Sequence, residues 1–291
     1  MLDGLLRPIR ISQFFFREWR AKATLAREPL KQPCIHDPTL VDAYDRCGEL
    51  GGDLVPTYHF NAQALSALVP KGGTLLDLGC GSGRMLIHLA KSRPDIRLIG
   101  LDQSNGMIKL GHASIQSENL RGRIELLKGS MLKAHEIVNE KLDLISCVLS
   151  AHCLSNEAAM QQWLQALRVL KFRNNCSIWI FDFARPKTAE SCKFFPRFFG
   201  EKASSGVQNH LGNAMRASFT REELAEKLDA IGIGPFAHYL SGPMPFFQIH
   251  RLRAEKHHEI TESFWCHQPL PKMALSHYKT LKAQFPKSIL R

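Results

Sequence analysis

Leu75-Leu76-Asp77-Leu78-Gly79-Cys80-Gly81-Ser82-Gly83-Arg84 decides the fold of this chain. The apolar run 74–78 has the length and bulk of a buried strand, and it breaks into three glycines spaced two apart. A helical pattern follows over 85–90. Strand, tight glycine turn and helix start bring bare backbone N–H groups close to a ligand, an approach that side chains at Gly79, Gly81 and Gly83 would obstruct. The spacing is G-x-G-x-G, whereas dinucleotide-binding folds use G-x-G-x-x-G. Asp77 lies inside the strand, where a buried carboxylate needs hydrogen-bond partners. Residues 98–102 read as a second strand ending in Asp102, about 20 residues past the loop, a position from which an acid accepts ribose hydroxyls.

Outward from this unit the chain alternates strand and helix. A helix is expected over 61–69, stopping before Pro70. Ser104 caps a helix running to about residue 114. Strands follow at 124–127, 142–148 and 177–183. Between the last two, Met160, Trp163, Leu164, Leu167 and Leu170 mark an amphipathic helix over 157–170. Such alternation implies a parallel sheet with right-handed crossovers. An insertion over 184–218 carries Phe194, Phe195, Phe198 and Phe199. Thr220 and Glu223 then form a capping box, with Phe219 placed to staple Leu224. Strands at 236–240 and 246–251 flank Gly242-Pro243-Met244-Pro245, a turn short enough to make them antiparallel neighbours.

The ends are different in character. Net charge is +11, of which residues 1–31 hold +4 and 251–291 hold +5, leaving the middle nearly neutral. Basic ends suit nucleic acid, an anionic membrane surface, an acidic substrate or plain solvation. Residues 11–20 form a candidate amphipathic helix, with Ile11, Phe14 and Phe15 on one face and Phe16 and Trp19 on its flank. The tail 252–291 has no comparable motif. No run approaches the ~18 apolar residues of a membrane-spanning helix. The start has no apolar segment with a cleavage site, so secretion is not expected. Eight cysteines include no C-x-x-C pair, which favours reduced thiols in the cytoplasm.

The pattern D-L-G-C-G-S-G plus G-L-D-Q-S resembles the S-adenosylmethionine (SAM) binding half of class I methyltransferases, and the resemblance covers about residues 44–251. It implies an α/β, Rossmann-like fold: a seven-stranded, mostly parallel sheet with an antiparallel terminal strand and helices on both faces. An N-terminal helical lid over 1–60, a SAM-binding domain over 61–251 and a C-terminal extension over 252–291 complete the expected organisation. The insertion 184–218 then falls on the substrate side.

Residue by residue, the resemblance places Asp77, Gly79, Cys80, Gly81 and Gly83 in the loop that holds the methionine part of SAM, and Asp102 on the ribose hydroxyls. Gln103 and Met107 would border the adenosine, and Val148 and Leu149 would lie beside the cofactor. Where the family commonly has Gly-Asp after the third strand, this chain has Gly129-Ser130, so Ser130 or the Met131 backbone takes the adenine contact. Tyr44 and Tyr58 are candidates for the substrate cavity.

Methyl transfer from a sulfonium needs alignment and exclusion of water, and a base only if the nucleophile arrives protonated. His152, at the carboxyl end of the fourth strand, and His59 are the candidate bases. No metal spacing is present, and His257, His258 and His267 read as solvated tail residues. Residues 146–150 lack the Asn/Asp-Pro-Pro-Tyr/Phe stretch of enzymes acting on base amino groups. No Pro-Cys nucleophile of the cytosine-C5 type occurs either. The expected acceptor is therefore a small, substantially apolar metabolite, met in the cytoplasm or at an anionic membrane through the basic ends. Alternatives are a non-catalytic SAM-binding partner or regulator, a tRNA or protein methyltransferase, a nicotinamide oxidoreductase, and a glycine turn without a ligand.

Overall fold

The structure is a computed structural model that describes residues 12, 14, 16–255, 265, 266 and 268–290, and of Phe199 only the backbone. Ile11, Phe15, His257, His258 and His267 therefore lie outside the described residues.

Seven strands form one sheet in the order β3-β2-β1-β4-β5-β7-β6. These are β1 (Thr74–Leu78), β2 (Arg97–Asp102), β3 (Ile124–Lys128), β4 (Leu144–Val148), β5 (Ser177–Phe183), β6 (Ala237–Leu240) and β7 (Phe247–Leu252). The first five are parallel, and β7 runs antiparallel between β5 and β6. Chain order reverses between β1 and β4, which opens a crevice at their carboxyl ends where open α/β sheets bind ligands.

Helices cover both faces, so the central strands are buried on both sides and mostly apolar. Alternation along each strand splits the core in two. Leu75, Trp179, Phe181 and Phe183 face a cluster with α2 (Val55–Ser66) and α3 (Arg84–Ser92). Leu76, Leu78, Ile178 and Ile180 face the other, with Trp163, Leu164 and Leu167 of the helix Glu157–Asn174. The Thr220–Glu223 capping box forms in both directions, and Phe219 and Leu224 share one core cluster.

Three elements depart from the sequence expectations. α2 begins at Val55, not at 61, because Pro56 fits a first helical turn that lacks intrahelical N–H partners anyway. The expected domain boundary at residue 60 thus falls inside a helix. The insertion folds into two helices, Ala189–Phe199 and Ser205–Ala217. The tail, which had no assigned place, supplies a helix, Lys272–Ala283, that packs on α2: Tyr278 donates to Gln63, and Phe60 stacks on Phe285 with ring centroids 5.6 Å apart.

The N-terminal segment crosses the carboxyl end of the sheet as a strap. Glu18 is buried and accepts from Lys187 N, Thr188 N, Thr188 Oγ1 and Ser191 Oγ at the start of helix Ala189–Phe199. Leu25 N donates to Pro186 O at 3.3 Å and Glu28 N to Arg216 O at 3.1 Å. Phe14 is buried against Phe194 at 4.3 Å, whereas Phe16 and Trp19 are exposed.

Candidate active site

Each of the three glycines has left-handed backbone: φ is 74° at Gly79, 57° at Gly81 and 72° at Gly83. At Gly79 space also forbids a side chain, since a Cβ would meet Ser150 Oγ at 2.5 Å. That contact is a clamp, with Ser150 Oγ donating to Gly79 O at 2.8 Å and tying the loop to the end of β4. At Gly81 a Cβ would meet nothing within 4 Å, because the residue faces a cavity.

That cavity holds about 960 Å³ of empty space, its open mouth included, and sits over the crevice at the topological switch. Gly79, Gly81, Asp102, Gln103, Met107, Ser130, Met131, Leu149, His152 and Tyr44 all line it, so the structure brings ten of the sequence candidates together. Asp102 accepts Gly81 N–H on one oxygen and Ser104 N–H on the other, both at 2.8 Å. Burial pushes its pKa up, opposed by those backbone hydrogen bonds. Ser130 caps a short turn through Leu132 N at 3.3 Å, leaving its backbone neighbours on the cavity wall.

The remaining candidates lie behind or away from the wall. Asp77 is buried and accepts from Ser146 Oγ at 2.7 Å; burial lifts its pKa to about 7 against that hydrogen bond. It secures β1 to β4. Cys80 packs against Gly100, Gly83 caps α3, and Val148 belongs to the core. Tyr58 packs near Gly48, off this cavity. His59 is a correction of place: its Nδ1 meets His88 Nε2 at 2.9 Å, and its ring lies against Trp265 and Tyr278 under the C-terminal helix. Its position one helical turn into α2 turns it to that face.

His152 is paired with a residue the sequence reading did not single out. Its backbone N–H and ring Nδ1 both meet the Asp182 carboxylate, at 2.7 and 2.8 Å. Burial disfavours a charged ring, but the Asp182 carboxylate and the Cys153 sulfur together outweigh it and shift the His152 pKa well above its ordinary value. A carboxylate at Nδ1 fixes the orientation of the ring, which lines the cavity just beyond the carboxyl end of β4. His210 also lines the cavity, with its ring edge-on to Tyr44 at 5.8 Å; burial and the His152 charge lower its pKa to about 4. Nothing in the insertion's sequence marked His210. Pro33, Cys34 and Ile35 of the strap close the same cavity, with Ser104 Oγ donating to Ile35 O at 2.7 Å.

A second cavity of about 890 Å³, mouth included, adjoins the first. Its walls are mostly apolar, with Leu54, Phe183, Phe195, Val207, Phe246 and Leu281 among them and Asp53, His277 and Gln284 as polar members, drawn from α2, β5, the insertion, the β6–β7 turn and the C-terminal helix. Leu149 lines both cavities.

The family described as "Methyltransferase domain" matches residues 75–172, the stretch from the glycine loop to the helix after β4. Ubiquinone/menaquinone biosynthesis C-methyltransferase UbiE of Geobacter sulfurreducens is 23% identical over 223 residues, covering 68% of this chain and 85% of the relative. An uncharacterized methyltransferase of Emericella nidulans is 40% identical over 52 residues, and there the chain spans 18% of the relative's length. Among solved structures, the plantazolicin methyltransferase BpumL in complex with SAH superposes with a TM-score of 0.56 at 17% identity, over 75% of this chain and 91% of that one. That likeness establishes the fold. The chain has the class I, Rossmann-like methyltransferase architecture. Residues 75–172 match a methyltransferase domain.

Proposed function

We propose that the chain moves the methyl group of SAM to a small, substantially apolar acceptor held in the second cavity. The observation that carries this reading is the adjacency of the two cavities across Leu149. Bound SAM would supply an electrophilic methyl on a sulfonium that leaves as a neutral thioether. In this reading Gly79 and Gly81 take the methionine end on bare backbone, Asp102 holds the ribose, and Gln103, Met107, Ser130 and Met131 border the adenine side.

The protein's part is alignment and dryness. The strap residues Pro33–Ile35 and the Tyr44 ring roof the cofactor cavity. In the cofactor cavity neither histidine is poised near neutrality, since Asp182 shifts the His152 pKa well up and His210 is down at about 4; His277 lines the acceptor cavity. Efficient general bases need a pKa near the working pH. The acceptor in this proposal takes no base from the cofactor side, and His152 serves as a donor that orients groups at the cavity wall.

An apolar acceptor fits a cavity walled by Phe183, Phe195, Phe246 and Leu281. The name of one relative points the same way, since UbiE is a quinone-biosynthesis methyltransferase by name. Peripheral contact with an anionic membrane belongs to the proposal, because exposed Phe16 and Trp19 lie 6.2 Å apart beside Arg17 and Arg20. No helix among the described residues is long and apolar enough to cross a membrane. A cytoplasmic setting is supported by eight unpaired cysteines.

Incubation of the protein with methyl-labelled SAM and separate organic-soluble, RNA and protein fractions tests the acceptor class. Label is expected in the organic-soluble fraction. Label entering only RNA or only protein would overturn it.

A further inference from the structure

Leu149 is the residue at which both cavities meet, and its backbone is unusual. Its φ is 53°, in the left-handed region that a branched side chain rarely adopts. Such conformations persist only where surrounding structure over-determines them, and they concentrate at functional sites. The surroundings here do so. Leu149 N donates to Phe181 O at 2.7 Å, extending the β4–β5 ladder by one residue. Ser150 Oγ then holds Gly79 O at 2.8 Å and Val148 O at 3.2 Å, which bends the chain sharply beneath the glycine loop. The side chain is 8% exposed and stands in the wall shared by the polar cavity over Asp102 and the apolar one under the insertion.

We infer that Leu149 is a specificity-determining residue: its side chain partitions the cofactor cavity from the acceptor cavity and limits how far an apolar acceptor advances toward the methyl group. This rests on the methyltransferase reading above and adds to it the residue that sets the approach. Ordinary core packing would not require this conformation, because any β-region backbone buries a leucine without it. A transfer across a partition demands that the reacting atoms still come within van der Waals reach, roughly 3–3.5 Å. A single apolar side chain at the boundary meets that need, since it keeps the two molecules apart everywhere except at their reacting ends.

Two-ligand titrations of the full chain test this. S-adenosylhomocysteine (SAH) is followed by calorimetry, and the uncharged fluorophore N-phenyl-1-naphthylamine reports on the apolar cavity. Val207→Trp, which fills that cavity, locates the fluorophore by abolishing its binding. In the native protein the two ligands bind side by side with little mutual effect. In Leu149→Gly the cavities merge, and saturating SAH is expected to weaken fluorophore binding by about tenfold, within the usual range of coupling between sites. Leu149→Ala carries the same expectation if the glycine variant does not fold, and Leu149→Met should keep the native independence. Folded glycine or alanine variants in which the ligands remain independent would overturn the partition, as would outright displacement of the fluorophore by SAH in the native protein. Absence of SAH binding to the native protein would instead remove the methyltransferase reading itself.

Discussion

His152 and Asp182 form a fully buried pair, with 4% and 2% of their side chains exposed. The carboxylate raises the ring's pKa, so the folded state holds a proton that the unfolded chain releases near pH 6.5. The sign follows from linkage: stabilisation by this pair is complete below about pH 6.5 and is lost as pH rises through the folded-state value. The stability gap between native protein and His152→Gln, read from urea midpoints, should therefore be larger at about pH 6 than at about pH 9. A gap that grows with pH would mean that the ring is neutral when folded, and the base role would return. Leu149, three residues upstream, has left-handed backbone. Both lie in the short stretch after β4, where the chain turns from sheet to cavity wall.

Among the elements, the strap links distant parts of the chain most directly. Its buried Glu18 accepts from the N–H groups of Lys187 and Thr188 and from the Ser191 hydroxyl at the N-terminus of helix Ala189–Phe199, where the dipole favours an anion. Further along, Arg27 lies over the Phe219 ring at 3.8 Å and donates to Ala217 O at 2.7 Å, which keeps Pro33–Ile35 on the cofactor cavity. Glu18→Ala leaves buried donors without partners, a loss of about 1–3 kcal/mol. It should lower the melting temperature, speed proteolysis within residues 19–36 and weaken SAH binding together. A variant that loses stability but keeps native SAH affinity would show that the strap does not serve the cofactor. The α1 helix (Pro38–Cys47) is held down separately, by Arg84 bridging Asp45 and Glu49 from the start of α3.

At the scale of the whole molecule, the sheet was legible because its signals are local. Leu75, Leu76 and Leu78 put apolar side chains on both faces of β1, and only a strand covered by helices on both sides needs that. The glycine loop was legible for the same reason, since Gly79, Gly81 and Gly83 adopt a backbone that few other residues tolerate. What escaped was long-range. Asp182 reads as one more residue of an apolar strand, and its meeting with His152 depends on the β4–β5 register. His210 and Leu281 reach cavity walls only because the insertion and the tail fold back over the sheet, and no spacing in either segment announces that. His59 was misplaced because its sequence position beside the lid left open which face of α2 it occupies.

Calorimetric titration of SAM or SAH, with NAD as the control, tests the central claim most directly. Hydrogen bonds to a charged acceptor contribute about 1.5–3 kcal/mol each, and two ribose hydroxyls are assigned to Asp102. The account predicts that SAH binds, that NAD does not, and that Asp102→Ala weakens SAH by at least about tenfold, since about 1.4 kcal/mol is a factor of ten. Tight NAD binding without SAH binding, or a folded Asp102→Ala variant with native SAH affinity, would contradict it.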